Sequence, residues 1–546
     1  MKKKFKSLGV MLDMSRNSVM SIDSLKDYLT LIKKMGYNTL FLYTEDTYEV
    51  DGEPYFGYMR GRYSKDEMKE LDSFANSIGV EVIPCIQTLA HLNALLRWDT
   101  VPFDCNDIIL ADDPRTYELI EHMFATLSEC FTTRKIHVGM DEAHMLGRGK
   151  HLDIHGYEGA TKIIARHLER VREIAKKFDY EVMLWSDMFF RSWNDGVYTL
   201  KEPKTVPENV VNAVPKDVIP VYWNYFSLDE REYDGMFEMH RQFSDKTWFA
   251  GGLRCWGGFM PHNEFSMMCM GAAVNSCINN KIENILMTLW GDDGGECSRY
   301  SVLPSLFYIA ELAKGNRDIE AIKAKFTRFS GGITFDEFMM LDAPNNLFGD
   351  SVADTFDACG RRFVNPSKYM LYSDYFNGYL DYTVVSGASE RYAALAVELD
   401  RIAKKSRKFG HLFKTAAKLC AALEVKYELG VKTRAAYQAH DLDTLRLLAK
   451  RDYVLAEKRI SDFAITFEKQ WFRENKPHGF DVQDGRLGTV IRRTASCRRR
   501  LLDYVNGRID SIPELEQTIL PYGGKKGMPM LVNRAMLYMT ANVISH

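Results

Sequence analysis

The chain has 546 residues, of which 46% are hydrophobic and 27% charged, as is ordinary for a soluble globular protein. A net charge of −3 provides no basic field, so we expect no nucleic-acid partner. The first apolar run is short and is interrupted by Asp13 and Arg16, and no run of about 18 apolar residues follows. We therefore expect no signal peptide, no membrane span and a cytoplasmic location. Ten cysteines without a C-x-x-C pair indicate free thiols rather than a disulfide framework or a zinc ribbon.

Short apolar runs alternate with stretches of helical apolar spacing over the first 315 residues. We predict eight strands, at 7–14, 37–43, 80–86, 135–140, 181–185, 218–223, 247–253 and 282–290. Helices are predicted at 24–35, 64–78, 114–131, 160–178, 263–279 and 301–313. Eight strand–helix units in this length are typical of a parallel (β/α)8 barrel. A doubly wound open sheet rarely needs eight units, and the glycine-rich dinucleotide fingerprint is absent after the first strand.

The pattern changes beyond about residue 315. A short helix is predicted at 319–329, and the segment 330–388, rich in Gly, Asp, Asn and Pro, is predicted to be loop with short helical pieces. Long helices are predicted at 390–409, 413–429, 442–475 and 485–507. The sequence thus predicts an α/β TIM barrel over 1–315 followed by an all-α domain over 316–546.

Polar and aromatic residues collect where the predicted strands end, which is where active sites of (β/α)8 barrels lie. The set comprises Asp13, Arg16, Glu45, Asp46, His91, Asp141, Glu142, Trp185, Asp187, Tyr222, Trp223, Asn224, Tyr225, Trp256, Trp290, Asp292 and Asp293. Sugar rings present an apolar C–H face that stacks on indole and a rim of hydroxyls that need acceptors. The mixture of carboxylates with Trp and Tyr therefore predicts a sugar site.

The fourth strand runs into KIHVGMDEAHMLGRG, where Asp141 and Glu142 are adjacent. Ordinary glycoside hydrolysis needs two carboxylates that flank the bond, whereas neighbours on a strand point to opposite sides. Both acids can face a pocket only where the strand breaks into a loop, and the nucleophile must then come from elsewhere, for instance from the substrate. Mutual repulsion would leave one acid protonated as a general acid and the other ionised. A solvated turn is the simpler alternative, and His137 and His144 are either supports of this loop or sugar contacts.

The stretch HVGMDE resembles the His-x-Gly-x-Asp-Glu motif of glycoside hydrolase family 20, the β-N-acetylhexosaminidases. LYTEDTYEVDGEPYFGYMRGRYS, PCIQTLAHL and TLWGDDGGE are similar to the bacterial branch in which a helical C-terminal domain follows the barrel. The resemblance implies a retaining exo-enzyme without cofactor or metal. It would remove terminal non-reducing β-linked GlcNAc or GalNAc from oligosaccharides or glycosides, and the substrate's own acetamide would form an oxazolinium intermediate.

The same resemblance implies roles for the acid pair. Glu142 would be the general acid and then the base, and Asp141 would hold the acetamide N–H and stabilise the developing positive charge. Tyr222, whose spacing to Asn224 matches the family's Tyr-x-Asn/Asp, or Tyr225 would bind the acetamide oxygen, and this choice stays open.

The resemblance also implies further contacts with the sugar. Trp185, Trp256 and Trp290 would wall the acetamide and stack on the sugar, and Asp292 stands where the family usually has Glu. The remaining predicted substrate-binding residues are Arg16, Glu45, His91 and His144. The family's usual Arg before the first strand's glycine is replaced here by Ser7 and Leu8. Glu45, Asp46 or Arg16 would have to replace it, which leaves the GlcNAc-versus-GalNAc preference open.

Two alternatives remain at this point. A metal-dependent barrel hydrolase could use His91, His137, Asp141 and His144, although the first strand lacks the His-x-His usual in such enzymes. A non-catalytic barrel that binds amino sugars would need the acid pair to be lost, and the pair is intact. The oligomeric state is also open, and a homodimer is compatible with the sequence.

Overall fold

The computed structural model describes residues 5–347, 365–378 and 380–520. The chain divides into two compact units. The first comprises Met1–Arg254, Ser266–Trp290 and Ser305–Asp318, and the second comprises Cys255–Phe265, Gly291–Pro304 and Ile319–His546. The domain boundary that we predict at 315/316 stays a prediction.

Eight parallel strands close into a barrel, which confirms the predicted fold class. In chain order they are β1 (Ser7–Asp13), β2 (Thr39–Tyr43), β3 (Glu81–Cys85), β4 (Lys135–His137), β5 (Glu181–Trp185), β6 (Ile219–Trp223), β7 (Trp248–Gly252) and β8 (Asn284–Leu289). Each strand pairs with its neighbours in sequence, and β1 closes the barrel against β8 with Ser7 beside Asn284. The Phe41 ring on β2 meets the Trp248 ring on β7 at 5.6 Å. Because these strands are not neighbours, this contact passes through the barrel interior.

The strand β4 is shorter than the predicted 135–140, and this difference shapes the site. Its pairing with β3 is limited to Cys85 beside His137. The backbone then turns through left-handed conformations, with φ 74° at Gly139, 70° at Met140 and 52° at Glu142. A Cβ at position 139 would lie 2.0 Å from the side-chain oxygen of Gln87, so only glycine allows this approach.

Helices lie in the connections between the strands. Those of the barrel region are Ile22–Met35, Lys65–Ser77, Asn93–Leu96, Pro114–Cys130, Lys150–His155, Ala160–Lys177, Asp187–Arg191, Glu208–Val211, Glu230–Arg241, Asn263–Asn279 and Leu303–Ala313. A capping box starts the helix Lys65–Ser77, since the side chains of Ser64 and Glu67 each accept a hydrogen bond from the other's backbone N–H. The β5–β6 connection contains only two short helices, and the helix Glu230–Arg241 was not predicted.

The second unit is helical, as the sequence predicts. Its helices include Ile319–Phe329, Phe335–Met339, Pro366–Tyr372, Ala388–Ala403, Gly410–Lys426, Leu429–Gln438, Leu442–Leu447, Tyr453–Glu474, Phe480–Val505 and Pro513–Glu516. The predicted continuous helix 442–475 is interrupted by a π-helical turn at Leu448–Asp452. Part of the predicted loop 330–388 lies outside the described residues. Nowhere in the described ranges is a helix both long and apolar enough to cross a membrane.

Candidate active site

Asp141 lies buried just beyond the end of β4, in the first turn of the loop. Its Oδ1 accepts a hydrogen bond of 2.6 Å from Gln87 Nε2, and its Oδ2 lies 3.3 Å from His91 Nε2 in an ion pair. Burial opposes ionisation of this carboxyl, but the His91 charge and the contacts with His91 and Gln87 outweigh it and lower the pKa of Asp141. The structure therefore holds Asp141 as a carboxylate.

Gln87 fixes both the side chain and the backbone of the acid loop. Its Oε1 accepts from Met140 N at 3.0 Å, while its Nε2 also donates to Tyr43 Oη at 3.0 Å. A single amide from the end of β3 thus sets the turn that follows β4 and the direction of Asp141. Gln87 was not among the predicted site residues, although its place directly after a predicted strand could have identified it.

Glu142 has a different environment from its neighbour. Its side chain is 40% exposed, whereas that of Asp141 is 10% exposed. The backbone N–H of Glu142 donates to Asp187 Oδ2 at 3.1 Å, and its carboxylate lies 3.7 Å from His91 Nε2 and 3.9 Å from Arg191 Nη2. The left-handed turn therefore gives two adjacent acids one buried and one accessible position.

His91 lies between the two acids and carries positive charge. Burial disfavours its charged form, but the Asp141 and Glu45 carboxylates outweigh burial and raise the pKa of His91 to about 9. The predicted contact residue His91 is therefore a protonated partner of the acid pair at neutral pH.

Asp187 and Arg191 support Glu142 from the short helix after β5. Asp187 is fully buried, accepts from Arg191 Nε at 3.3 Å, and leaves its Oδ1 without a hydrogen-bond partner. Burial and the nearby Asp141 charge raise the pKa of Asp187 to about 7. Asp187 is among the predicted strand-end residues, whereas Arg191 was not identified from the sequence.

The ends of β1 and β2 contribute a second charged pair. Arg16 Nη2 lies 3.3 Å from Glu45 Oε1, which also accepts from Tyr43 Oη at 3.0 Å. Burial raises the pKa of Glu45, although Arg16 opposes the shift. Asp46 is instead paired with Arg60 at 3.0 Å. Of the residues predicted to replace the family's usual arginine, Arg16 and Glu45 thus form one unit and Asp46 is separately neutralised.

Aromatic rings line the same region of the barrel. The Trp185 and Trp290 rings are 6.1 Å apart, and Tyr43 meets Trp290 edge-on at 4.8 Å. Trp223, which we did not predict as a contact, stacks on Tyr225 at 5.2 Å and 22°. Burial raises the pKa of Tyr225 well above its ordinary value, although hydrogen bonds with Trp290 and Thr288 act in the opposite sense. The predicted residues Trp185, Trp290 and Tyr225 therefore belong to one aromatic group.

The side chains of Tyr222 and Asn224 point away from the acid pair. The Tyr222 ring packs at 5.4 Å from Phe237 and 5.1 Å from His240, both on the helix Glu230–Arg241. Its hydroxyl accepts from Asn224 Nδ2 at 3.1 Å, and Asn224 also donates to Glu232 at 2.9 Å. Side chains alternate along β6, so the strand directs Tyr222 toward the outer helix layer. The structure does not bring this predicted pair to the acids.

His137 and His144, which flank the acid pair in the sequence, differ in burial and in their contacts. His137 is buried, its Nδ1 accepts from Gly139 N at 3.1 Å, and its ring lies 4.3 Å from that of Trp185. Burial lowers the pKa of His137 to about 3, so it stays neutral and supports the loop. His144 is exposed, and its backbone N–H donates to the Glu142 carbonyl at 2.6 Å.

The metal-hydrolase alternative gains no support from this arrangement. Among the described residues, the group of His, Cys, Asp and Glu side chains with metal-like proximity is Asp112, His151 and His155. It contains none of the four residues that the alternative requires.

Trp256 and Asp292, the two other predicted contacts, belong to the second compact unit. Trp256 is buried and Asp292 is half-buried there. The Asp292 carbonyl accepts from Gly257 N at 3.2 Å, which joins the segments that carry the two residues. Their roles toward a sugar stay predictions.

Two family models match the chain. The model "Glycosyl hydrolase family 20, catalytic domain" matches residues 5–224, and "Glycoside Hydrolase 20C C-terminal domain" matches residues 336–533. Together they span more than half of the chain and follow the order of barrel and helical region.

The chain also matches curated proteins, at low sequence identity. Hexosaminidase D of Homo sapiens is 24% identical over 219 residues, which cover 37% of this chain and 42% of that protein. Beta-hexosaminidase of Emericella nidulans is 24% identical over 265 residues, which cover 41% of this chain and 42% of that protein. The chain thus spans about two fifths of the length of these relatives. A solved exo β-N-acetylglucosaminidase from Vibrio harveyi matches with a TM-score of 0.45 and 16% identity, over 59% of this chain and 57% of that one.

Proposed function

We propose that this chain, which belongs to glycoside hydrolase family 20, is an exo-acting β-N-acetylhexosaminidase that retains configuration through substrate-assisted catalysis. One observation carries the proposal. Two adjacent acids occupy unlike environments, one buried and ionised and the other accessible and close to solvent. Because the acids are neighbours in sequence, they do not flank the glycosidic bond as the acid and nucleophile of an ordinary retaining enzyme do, and this suits a substrate that brings its own nucleophile.

In the first step, the carbonyl oxygen of the 2-acetamido group forms a bond to C1 as the C1–O bond to the leaving group breaks. Glu142 gives its proton to the departing oxygen, and its accessible position suits a group that must reach the leaving side of the sugar. Asp141 accepts a hydrogen bond from the acetamide N–H and stabilises the positive charge of the resulting oxazolinium ring.

In the second step, water attacks C1 and the bond from C1 to the acetamide oxygen breaks. Glu142, now a carboxylate, takes a proton from that water, which restores the enzyme and gives retention. The Asp187 and Arg191 contacts hold the backbone of Glu142 in the turn that serves both steps.

The aromatic group supports the choice of an acetamido sugar. Trp185 and Trp290 offer apolar surface for the acetamide methyl group and the sugar face. Tyr225, in contact with Trp290, is the tyrosine that we assign to the acetamide oxygen, because Tyr222 packs against the outer helix.

The Arg16–Glu45 pair is assigned to sugar hydroxyls. In the proposed function, the substrates are oligosaccharides or glycosides that end in an N-acetylhexosamine. A cytoplasmic location and a homodimer remain predictions from the sequence.

A panel of aryl β-glycosides of GlcNAc, GalNAc, Glc and Gal tests the proposal. We expect hydrolysis of the acetamido sugars only, and tight inhibition by a cyclic thiazoline that mimics the oxazolinium ring. Cleavage of the plain glucoside as fast as the GlcNAc glycoside would contradict substrate assistance. The absence of any hydrolysis, combined with calorimetric binding of a hexosamine, would instead support a sugar-binding protein.

A further inference from the structure

We propose that Asp112, His151 and His155 form a binding site for a divalent transition-metal ion of the zinc class. The three side chains lie in the barrel unit and each can offer one ligand atom, and these atoms lie within 4.8 Å of one another. None of them belongs to the acid-pair site described above.

His151 gives the strongest indication of a missing ligand. Its side chain is fully buried, and neither ring nitrogen makes a hydrogen bond. Its Nε2 lies 3.5 Å from Asp112 Oδ2 and 3.6 Å from Glu158 Oε2. A buried imidazole that makes no hydrogen bond is costly, and with two carboxylates beside it this geometry points to a cation among the three groups.

His155 adds a second imidazole on the same side. It follows His151 by four residues on the helix Lys150–His155, and the two ring centroids are 4.6 Å apart. Residues four apart lie on one face of a helix, so both rings can turn toward one ion. Because His155 is exposed, an ion can reach the buried His151 from solvent on that side.

The charge of the surrounding group also favours a cation. Asp112 and Glu158 carry two negative charges, and both are paired with the guanidinium of Arg166. Lys162 pairs with Glu158 at 2.8 Å, but its side chain is 73% exposed and therefore well screened. Asp112 and Glu158 together thus keep about one negative charge that Arg166 does not neutralise.

The donor set selects the class of ion. Two imidazoles and a carboxylate suit zinc and related first-row metals, whereas magnesium and calcium prefer oxygen ligands. At metal–ligand distances of about 2.0–2.2 Å, tetrahedral ligand atoms are about 3.4 Å apart. Ligand atoms that lie farther apart than this would have to move closer on binding, and the exposed His155 is the side chain best able to move.

The site lies on a loop whose backbone is already fixed. Asp104 accepts hydrogen bonds from the backbone N–H groups of Gly147, Gly149 and His151, at 2.6, 3.0 and 2.9 Å. A bound ion would link this loop, which follows the acid pair, to the separate loop that carries Asp112.

Calorimetry on the full chain, stripped with a chelator, tests the site. We expect one equivalent of ZnCl2 to bind and to raise Tm, and MgCl2 to have no such effect. His155→Ala should weaken zinc binding at least tenfold, and Asp112→Asn should also weaken it. His144→Ala removes an exposed histidine of the same loop and is the matched control, which should bind as the wild type does.

His151→Ala removes a buried side chain and can fail to fold, so the exposed His155 carries the decision. No stoichiometric zinc binding by the wild type would overturn the proposal and leave His151 in contact with the two carboxylates alone. Zinc binding that survives both His155→Ala and Asp112→Asn unchanged would place the metal elsewhere and would also overturn it.

Discussion

Two groups of carboxylates and imidazoles lie in the barrel unit, and they differ in how their charges are neutralised. At the acid pair, Asp141 is held by a neutral amide and a protonated His91, while Glu142 stays 40% exposed. At the second group, Arg166 pairs with both Asp112 and Glu158. In the proposed function this difference suits the accessible Glu142 to proton transfer, whereas one guanidinium holds both carboxylates of the second group.

The largest loss of activity is expected for Glu142→Gln. The amide keeps the size of the side chain but cannot donate or take the proton, so kcat/KM on an unactivated β-GlcNAc glycoside should fall by about 10²–10⁴-fold. Asp112→Asn is the matched control from the other group and should leave kcat/KM unchanged. Near-wild-type turnover by Glu142→Gln would remove this residue from the proton transfer.

Asp141→Asn should have the next largest effect. The substitution removes the negative charge that orients the acetamide and stabilises the oxazolinium ring, so we expect kcat to fall about a hundredfold or more. Steady-state kinetics on the same glycoside measures this loss. If Asp141→Asn were as active as the wild type, the charge at position 141 would have no part in catalysis.

Substitutions of Asp187 test whether this residue positions Glu142. Asp187→Ala removes the acceptor of the Glu142 N–H, so kcat should fall about tenfold with little change in KM, as expected for lost positioning. Asp187→Asn keeps an acceptor oxygen and should lose less. Equal losses in the two variants would contradict the role of that hydrogen bond.

The raised pKa of Asp187 adds a second measurement, the dependence of stability on pH. Its pKa is about 7 in the folded chain and 3.8 ordinarily, so the folded state holds an extra proton between these values. The free energy of unfolding should therefore decrease as pH rises from about 4 to 7, and Asp187→Asn should remove this contribution. Denaturant titrations at several pH values measure the slope, and identical slopes in both proteins would contradict the shift.

The smallest expected effect is a pH limit set by His91, which Asp141, Glu142, Glu45 and Arg16 surround. Its raised pKa means that its contribution to stability is complete below pH about 6.5 and is lost as pH rises through about 9. Because Asp141 then loses its counter-charge, kcat/KM should decline above pH 9.

Neighbouring hydroxyls do not explain such a limit, since burial raises the pKa values of Tyr43 and Tyr225 well above 10. His91→Gln should be less active and should lack this alkaline limb. A limb that persists unchanged in His91→Gln would assign it to another group.

The barrel could be predicted from the sequence because buried parallel strands are nearly continuous apolar runs. Six of the strands differ from prediction by one or two residues at one or both ends and β5 matches it, but β4 ends three residues early at His137. That early end depends on Gln87 approaching Gly139, a contact between distant positions. The helix Glu230–Arg241 was missed because its buried face includes Glu232, Gly235 and His240, which weaken the apolar pattern.

The candidate site was predicted in part. The motif identified Asp141 and Glu142, the strand-end rule selected Asp187, and the same rule could also have selected Gln87. Arg191 could not be selected, because its position depends on the short helix Asp187–Arg191 that stands where a longer barrel helix is usual. The choice between Tyr222 and Tyr225 required the packing of the β6 strand against its outer helix.

The central claim is that the substrate's acetamide, which Asp141 orients, attacks C1. It is tested most directly by kcat/KM for aryl β-GlcNAc glycosides whose acetyl group carries zero, one, two or three fluorine atoms. Fluorine withdraws electron density from the carbonyl oxygen, so we predict a steady and steep fall in log kcat/KM with each added fluorine. A rate that stays nearly constant across the series would contradict the claim and would require a nucleophile from the enzyme or from water.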